Sequence, residues 1–383
     1  MIRLKKVILY VGKFDLPNGT AAAQRVNVNK KILQNLHYDV RFISTFESDV
    51  DIKEYNKDFN INYISENKLL FDITYLKNIV IEIGEENIHS IIFYNFPSIA
   101  LFRVNMFLKK KNINVYSDCT EWYGTPPRTT ILRKVIKTVD TEIRMRYVHK
   151  KLDGIICIST YLKRYYDKKG LKTVLIPNVL DLSEQKWNIT DSRNDATNIK
   201  LIYAGNPGKD FEKENLDLIV NVFNNETLSF FNIELNILGI EKDEFTEIYI
   251  KKYKKYPKLN KISFAGRKTH LEVLENVKNS DYFIFFRPIS KANKAGFPTK
   301  LVESFGTLTP VITNDVGDVS RYINNGVNGY VLNTNDINIL AKDLADILKK
   351  HRMYAVFQDE LKINNPFDYK KYVADFDEFI NKM

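Results

Sequence analysis

Lys294-Ala295-Gly296-Phe297-Pro298-Thr299-Lys300-Leu301-Val302-Glu303, continued by Ser304-Phe305-Gly306-Thr307-Leu308-Thr309-Pro310-Val311-Ile312-Thr313, is the most informative stretch of this chain. A hydrophobic, strand-like run, Tyr282-Phe283-Ile284-Phe285-Phe286, precedes it, and residues 310–313 read as a second strand. A strand, a glycine-containing loop and a helix start form a ready anion site, because the first helical N–H groups have no partner within the helix. Lys300 and Glu303 stand three apart and share one helical face. One cation suited to phosphate and one carboxylate suited to sugar hydroxyls are the equipment for holding a nucleotide-sugar.

Working outward, short apolar runs alternate with longer amphipathic ones. Strands are expected at 7–11, 40–43, 91–94, 115–117 and 154–158, with helices such as 21–36 and 132–151 between them. A second set of strands is expected at 200–204, 234–238, 262–264, 282–286 and 310–313. Such alternation predicts parallel sheets covered by helices on both faces, once in each half of the chain. The polar stretch 181–198, without periodicity, reads as the linker. Asn364-Asn365-Pro366 breaks the chain before a last helix at 368–381, which either caps the second domain or returns to the first. Ligands of open α/β sheets lie beyond the C-terminal strand ends, so the loops there carry the chemistry.

Length and composition narrow the options. With 383 residues, 44% of them hydrophobic, the chain supports two or three domains with sizeable cores. No run of about 18 uncharged apolar residues is present, and the N-terminal apolar run is too short for a signal peptide. Cys119 and Cys157 make no disulfide framework, and a cytoplasmic location is expected. The net charge of +10 fits a phosphorylated ligand, nucleic acid or an anionic membrane surface, and equally a lysine-rich composition without function. The five histidines are scattered, with no metal spacing. Neither a Walker A loop, a Gly-x-Gly-x-x-Gly fingerprint nor a Gly-x-Ser-x-Gly elbow occurs.

Several loops offer binding groups, each with a plain structural alternative. Gly19 and Thr20 follow the first strand, where glycine permits close backbone approach and threonine can cap the next helix. Asp118, Glu121, Trp122 and Tyr123 follow the fourth strand and suit sugar hydroxyls and ring faces, or simply a cap and a surface acid. Gly205-Asn206-Pro207-Gly208-Lys209-Asp210 suits a phosphate, or a glycine turn. Arg267 follows the strand at 262–264, and Arg287 the strand at 282–286, where a buried guanidinium calls for an anion or an internal carboxylate. The stretch 128–151 interleaves Arg128, Arg133, Lys134, Lys137, Arg144, Arg146, Lys150 and Lys151 with apolar residues. That pattern suits an anionic membrane surface, or an ordinary amphipathic helix with a solvated basic face.

Taken together these loops resemble the family 4 glycosyltransferases, a retaining group with the GT-B fold. The carriers are Ser159-x-x-Leu162-Lys163, Ile176-Pro177-Asn178-Val179-x-Asp181, Tyr203 through Asp210, Gly296-Phe297-Pro298-Thr299-Lys300-x-x-Glu303 and Gly326-x-x-Gly329. The resemblance covers residues 150–335 best and is patchy over 1–180. It implies two Rossmann-like domains facing across a cleft: an acceptor domain at 1–180, rejoined by a crossing helix at 366–383, and a donor domain at 181–365. It implies a metal-independent transferase of EC 2.4 type, moving a sugar with retention from a UDP- or GDP-linked donor to a glycan or polyprenyl-diphosphate-linked acceptor. The bacterial settings are surface polysaccharide, lipopolysaccharide, capsule or glycoprotein glycan synthesis, in the cytoplasm or at the inner face of the cell membrane. Asp118, Lys209 and Arg287 are the catalytic candidates, the arginine by local inference. Gly19, Gly205, Gly208, Arg267, Gly296, Phe297, Pro298, Thr299, Lys300 and Glu303 are the donor-binding candidates; no cofactor, metal or nucleic acid is expected. One departure stands out. The family's Glu-x7-Glu pattern has Ala295 in place of its first glutamate, which keeps open a non-catalytic nucleotide-sugar or glycan-binding subunit; a GT-B sugar-nucleotide epimerase is a second enzyme reading.

Overall fold

A computed structural model of the protein describes residues 6–14, 16, 20–45, 61–64, 69, 72–122, 130–190, 198–350 and 354–381. The chain divides into two compact units. The first comprises Met1–Val179, Ala295–Phe297 and Asp368–Met383, the second Leu180–Lys294 and Pro298–Phe367.

In the first unit the elements run β1 (Val7–Gly12), α1 (Ala21–Asn35), β2 (Asp39–Thr45), β3 (Ile61–Ile64), α2 (Thr74–Ile83), β4 (Ile88–Tyr94), α3 (Ser98–Lys109), β5 (Asn114–Cys119), α4 (Ile131–Ile143), β6 (Gly154–Cys157), α5 (Thr160–Asp167) and β7 (Thr173–Leu175). The strands pair in the order β3-β2-β1-β4-β5-β6-β7, every pairing parallel. Parallel strands are covered on both faces, so they read as unbroken apolar runs, and β1 is buried at every position. Thr20 caps α1 by accepting from the Ala23 N–H at 3.2 Å. Cys119 and Cys157 stand opposite each other in β5 and β6, both as buried free thiols.

The expected helix at 132–151 is interrupted. After α4 the backbone widens into a π turn at Arg144–Val148 and then tightens into a 3₁₀ turn at His149–Lys151. The widened turn aims the buried Arg144 guanidinium at the Asn95 carbonyl, 2.6 Å away.

The second unit repeats the plan with β8 (Ile199–Ala204), α6 (Leu216–Phe223), β9 (Ile233–Leu238), α7 (Lys242–Tyr253), β10 (Ile262–Gly266), α8 (His270–Lys278), β11 (Tyr282–Ile284), α9 (Lys291–Ala295), α10 (Thr299–Gly306), β12 (Val311–Asn314), β13 (Gly329–Leu332), α11 (Ile337–Lys349) and α12 (Tyr354–Asn364). Its sheet order is β10-β9-β8-β11-β12-β13, again all parallel. The stretch expected as a polar linker carries a hydrophobic anchor. Trp187 is buried and packs on Gly306, where a Cβ would come within 2.6 Å of its ring.

The last helix, α13 (Val373–Asn381), belongs to the first unit. Its Phe376, Phe379 and Ile380 join the core formed by Ile8, Tyr10, Tyr116 and Ile156. Gly154 makes the fit possible, since a Cβ there would lie 2.8 Å from the Phe379 ring.

Candidate functional site

Each sheet reverses its strand order once, between β1 and β4 in the first unit and between β8 and β11 in the second. In an open parallel sheet the loops diverge at that point and leave a crevice at the C-terminal ends. The loops after β8 and β11 are joined by the Asn215 N–H donating to the Phe286 carbonyl at 2.8 Å.

After β8 the chain turns at Gly205, whose φ of +142° excludes most side chains. A Cβ there would also lie 2.1 Å from Lys300 Nζ. Asn206 Oδ1 accepts from the Gly208 N–H at 2.9 Å, closing a local turn. Asp210 and Phe211 are both left-handed, with φ of 53° and 61°. The buried Phe211 ring fixes this strained pair against Phe245, and Lys209 stands exposed at the tip. Arg267 is exposed after β10.

Arg287 follows β11 and is 8% exposed. Its backbone exchanges two 2.8 Å hydrogen bonds with the Asn314 side chain, and Nη2 donates to Asn293 Oδ1 at 2.6 Å. Next in the chain, Gly296 is partly buried, and Phe297 and Pro298 are buried. Pro298 and Thr299 open α10, and no side chain caps its first N–H groups.

Lys300 and Glu303, on the first turns of α10, meet different partners. Lys300 Nζ contacts Glu214 Oε2, the same oxygen to which Tyr203 OH donates at 2.6 Å. Burial lowers the Lys300 pKa and Glu214 opposes that shift; Lys213 and Arg287 lower it further. Glu303 Oε1 lies 2.9 Å from His270 Nε2, and His270 is the first residue of α8. Thr269 and Glu272 fix that helix start through a capping box. The second unit therefore gathers Lys213 and Arg287 around the Lys300–Glu214 pair, while Glu303, on the same helix as Lys300, pairs with His270 of α8. A cluster with excess positive charge at a helix start and a crevice edge suits a polyanion with a hydroxyl-bearing neighbour.

Residues 189–362 match the family described as glycosyl transferases group 1. That group 1 segment spans most of the second unit. Over the whole chain the fold is GT-B, as in a glycosyltransferase from Rickettsia africae ESF-5, at a TM-score of 0.66 and 17% identity over 99% of this chain and 100% of that chain. The apo form of the lipopolysaccharide outer core galactosyltransferase WaaB aligns at 0.63 and 14%, over 98% and 99%. Anabaena Alr3699/HepE in complex with UDP aligns at 0.63 and 13%, over 99% and 100%. No curated protein matches this sequence.

Within the group 1 domain, sequence reasoning missed Glu214 and Lys213 and the pairing of His270 with Glu303. Glu214 ends the charged run 210–214, which reads as solvated surface, and its partner Lys300 is 86 residues away. Outside the domain, Gly19, Tyr123 and Arg128 fall beyond the described residues.

Asp118, expected as a catalytic candidate, meets partners within the first unit. It is fully buried in the first unit, its oxygens engaged by Arg25 at 2.7–3.1 Å and by Tyr10 OH. Arg25 also donates to the carbonyls of Ile176 and Pro177, at 3.0 and 2.9 Å. The carboxylate thus serves as an internal counter-ion.

Ala295, at the place of the family's first glutamate, is fully buried, and its carbonyl accepts from Ser159 Oγ at 2.6 Å.

Helix α4 in the first unit is inverted relative to an ordinary surface helix. Ile131, Leu132, Val135, Ile136, Val139 and Ile143 fall in one arc of roughly 140° at 100° per residue, and they are 39% to 82% exposed. Polar groups in its C-terminal half attach it to the rest of the unit. Thr141 is buried, and Asp140 accepts from the Ser98 N–H and hydroxyl at 2.8 and 2.6 Å. Glu142 accepts from Trp122 Nε1 at 2.8 Å. Arg133, Lys137, Arg146 and Lys150 are exposed in the same stretch, with Arg146 paired to Glu142.

Proposed function

We propose that the protein transfers a glycosyl group, with retention, from a UDP- or GDP-linked sugar to a glycan or polyprenyl-diphosphate-linked acceptor in bacterial surface-glycan synthesis. The observation that carries this reading is the cation cluster Lys300–Arg287–Lys213 beside the Glu303–His270 pair, in a group 1 domain. Lys209, Arg287, Lys300 and the N–H groups at the start of α10, which no N-cap side chain engages, meet the diphosphate. Gly205 and Gly208 let backbone approach it, the segment 296–299 lines it, and Glu303 accepts from the ribose. Arg267 and His270 lie toward the base. The acceptor hydroxyl oxygen bonds to the anomeric carbon on the face the diphosphate leaves, and the leaving group departs with the bonding pair. The hydroxyl proton passes to a departing phosphate oxygen. Fixed cations aimed at that developing charge supply the main electrostatic stabilisation, in a metal-independent step.

Ala295 favours a second reading, a nucleotide-sugar-binding subunit without transferase activity, because a buried methyl group can make no polar contact with a donor sugar. Incubation of the purified protein with UDP- and GDP-sugars separates the two. Released nucleoside diphosphate supports the enzyme; saturable binding without turnover, with acceptor present, supports the subunit.

The exposed apolar face of α4 suits an anionic membrane surface, beside a lipid-linked acceptor. Apolar side chains enter the headgroup boundary, and exposed Arg133 beside that face and Lys150 beyond the helix meet lipid phosphates. Leu132→Glu/Ile136→Glu is expected to reduce co-flotation with phosphatidylglycerol-containing vesicles at least tenfold, and pure phosphatidylcholine vesicles to bind little of either protein. Equal flotation of variant and wild type would remove α4 from membrane contact.

A further inference from the structure

We infer that Glu214 is a positioning residue of the donor site, holding Lys300 in place and in its charged form. The inference rests on the donor-site reading above and assigns a function to a residue that contacts no donor atom itself.

The geometry is specific. Lys300 sits one residue into α10, and its side chain is 16% exposed. It reaches the end of β8, where Nζ lies 4.5 Å from the Tyr203 ring centroid and contacts Glu214 Oε2. The Glu214 side chain is only 4% exposed, and Tyr203 OH fixes it from below at 2.6 Å. Gly205 leaves the lysine its path, since any side chain there would occupy the position of Nζ. The pair is thus walled in by an aromatic ring, a glycine turn and a helix start.

The charged and titratable groups facing Lys300 come from three elements. They are Glu214 and Lys213 from the segment before α6, Tyr203 from β8 and Arg287 after β11. Burial disfavours an ammonium, and two neighbouring cations push the same way. Glu214 is the group that opposes them. Burial and the adjacent carboxylate hold the Tyr203 phenol protonated well above its ordinary range, so it stays a donor to Glu214. Without Glu214, a desolvated lysine among cations would lose its proton at lower pH, and a neutral amine exerts no net Coulomb attraction on a diphosphate. The sign follows: the ammonium, and the affinity it confers, exists below the Lys300 pKa and is lost as pH rises through it. Removing Glu214 moves that loss to lower pH.

The test is UDP and GDP binding by isothermal titration calorimetry from pH 7 to 9 on wild type, Glu214→Gln and Lys300→Met. Glutamine keeps the acceptor for Tyr203 and removes only the charge. Lys300→Met reports titration of the nucleotide and of other groups. Expected is a fall in affinity of Glu214→Gln whose midpoint lies about 1–3 pH units below that of wild type, the span a single close charge shifts a pKa. Lys300→Met should lack that step. Superimposable pH profiles for wild type and Glu214→Gln would overturn the inference and leave the donor site standing. Absence of binding by wild type at any pH would count against the donor site, and the inference with it. Should Glu214→Gln not fold, Glu214→Asp, which withdraws the carboxylate by one methylene, is read the same way and should show a smaller step in the same direction.

Discussion

Lys300→Met is expected to lower the rate of donor turnover about 10²–10³-fold, the effect of removing one preorganised charge aimed at a leaving group. The same change should lower stability. Glu214 is left buried with a hydrogen bond from Tyr203 but no cation, and breaking one side of a buried pair costs about 3 kcal/mol. The two effects are separable. In Lys300→Met/Glu214→Gln the stranded charge is gone, so the melting temperature should recover most of the loss while turnover stays low. Thermal melts and nucleoside diphosphate release on both variants check this. Recovery of turnover together with stability would reduce Lys300 to a structural tie between α10 and β8.

Arg25→Met is expected to destabilise the first unit by about 3–5 kcal/mol, among the largest single-residue effects in the molecule. Arg25 and Asp118 have side chains 1% and 0% exposed, so neither can recruit water when its partner is removed. The change strands Asp118 beside the buried Tyr10 and Asn29, and it also strips hydrogen bonds from the carbonyls of Ile176 and Pro177. Arg25→Met/Asp118→Asn should regain part of the loss, because the lone charge is gone. It should not regain all of it, because the two carbonyls remain without their donor. Urea unfolding followed by circular dichroism measures both. A loss below about 1 kcal/mol in Arg25→Met, the range of exposed ion pairs, would show that the pair is solvated in solution.

Much of the architecture was legible because buried parallel strands announce themselves. β1 and the run at 282–286 are series of large apolar residues, β8 is one broken only by Lys200, and the glycines and prolines after them mark the loops. The strands that escaped are short or lie toward sheet edges. β7 has three residues, β3 is Ile61-Asn62-Tyr63-Ile64, and β13 begins on a glycine and is half-buried beyond it. None offers enough periodicity to separate a strand from a loop. The break in the helix at 132–151 was hidden because a π turn has no composition of its own.

Of the proposed site, Lys209, Arg287, Lys300 and Glu303 could be named as candidates because each follows a strand or opens a helix. What decides the state of Lys300 was not visible. Glu214 lies in a charged run that resembles solvent-facing chain, and only the fold carries it under Tyr203 and against a lysine 86 residues away. Asp118 shows the converse. At the end of a strand beside two aromatics it looks like a ligand-facing acid, yet Arg25, 93 residues away, consumes it. Sequence reveals which groups a loop offers, whereas the pairing of charges across a sheet is a property of the folded chain.

Most directly, the donor site is tested by thermal melts of wild type and Lys300→Ala/Glu303→Ala across a panel of UDP- and GDP-sugars at saturating concentration. A saturable rise in melting temperature with at least one donor, absent in the double variant, is the predicted result. No rise with any donor, or an equal rise in the variant, would place nucleotide-sugar binding elsewhere or nowhere on this chain.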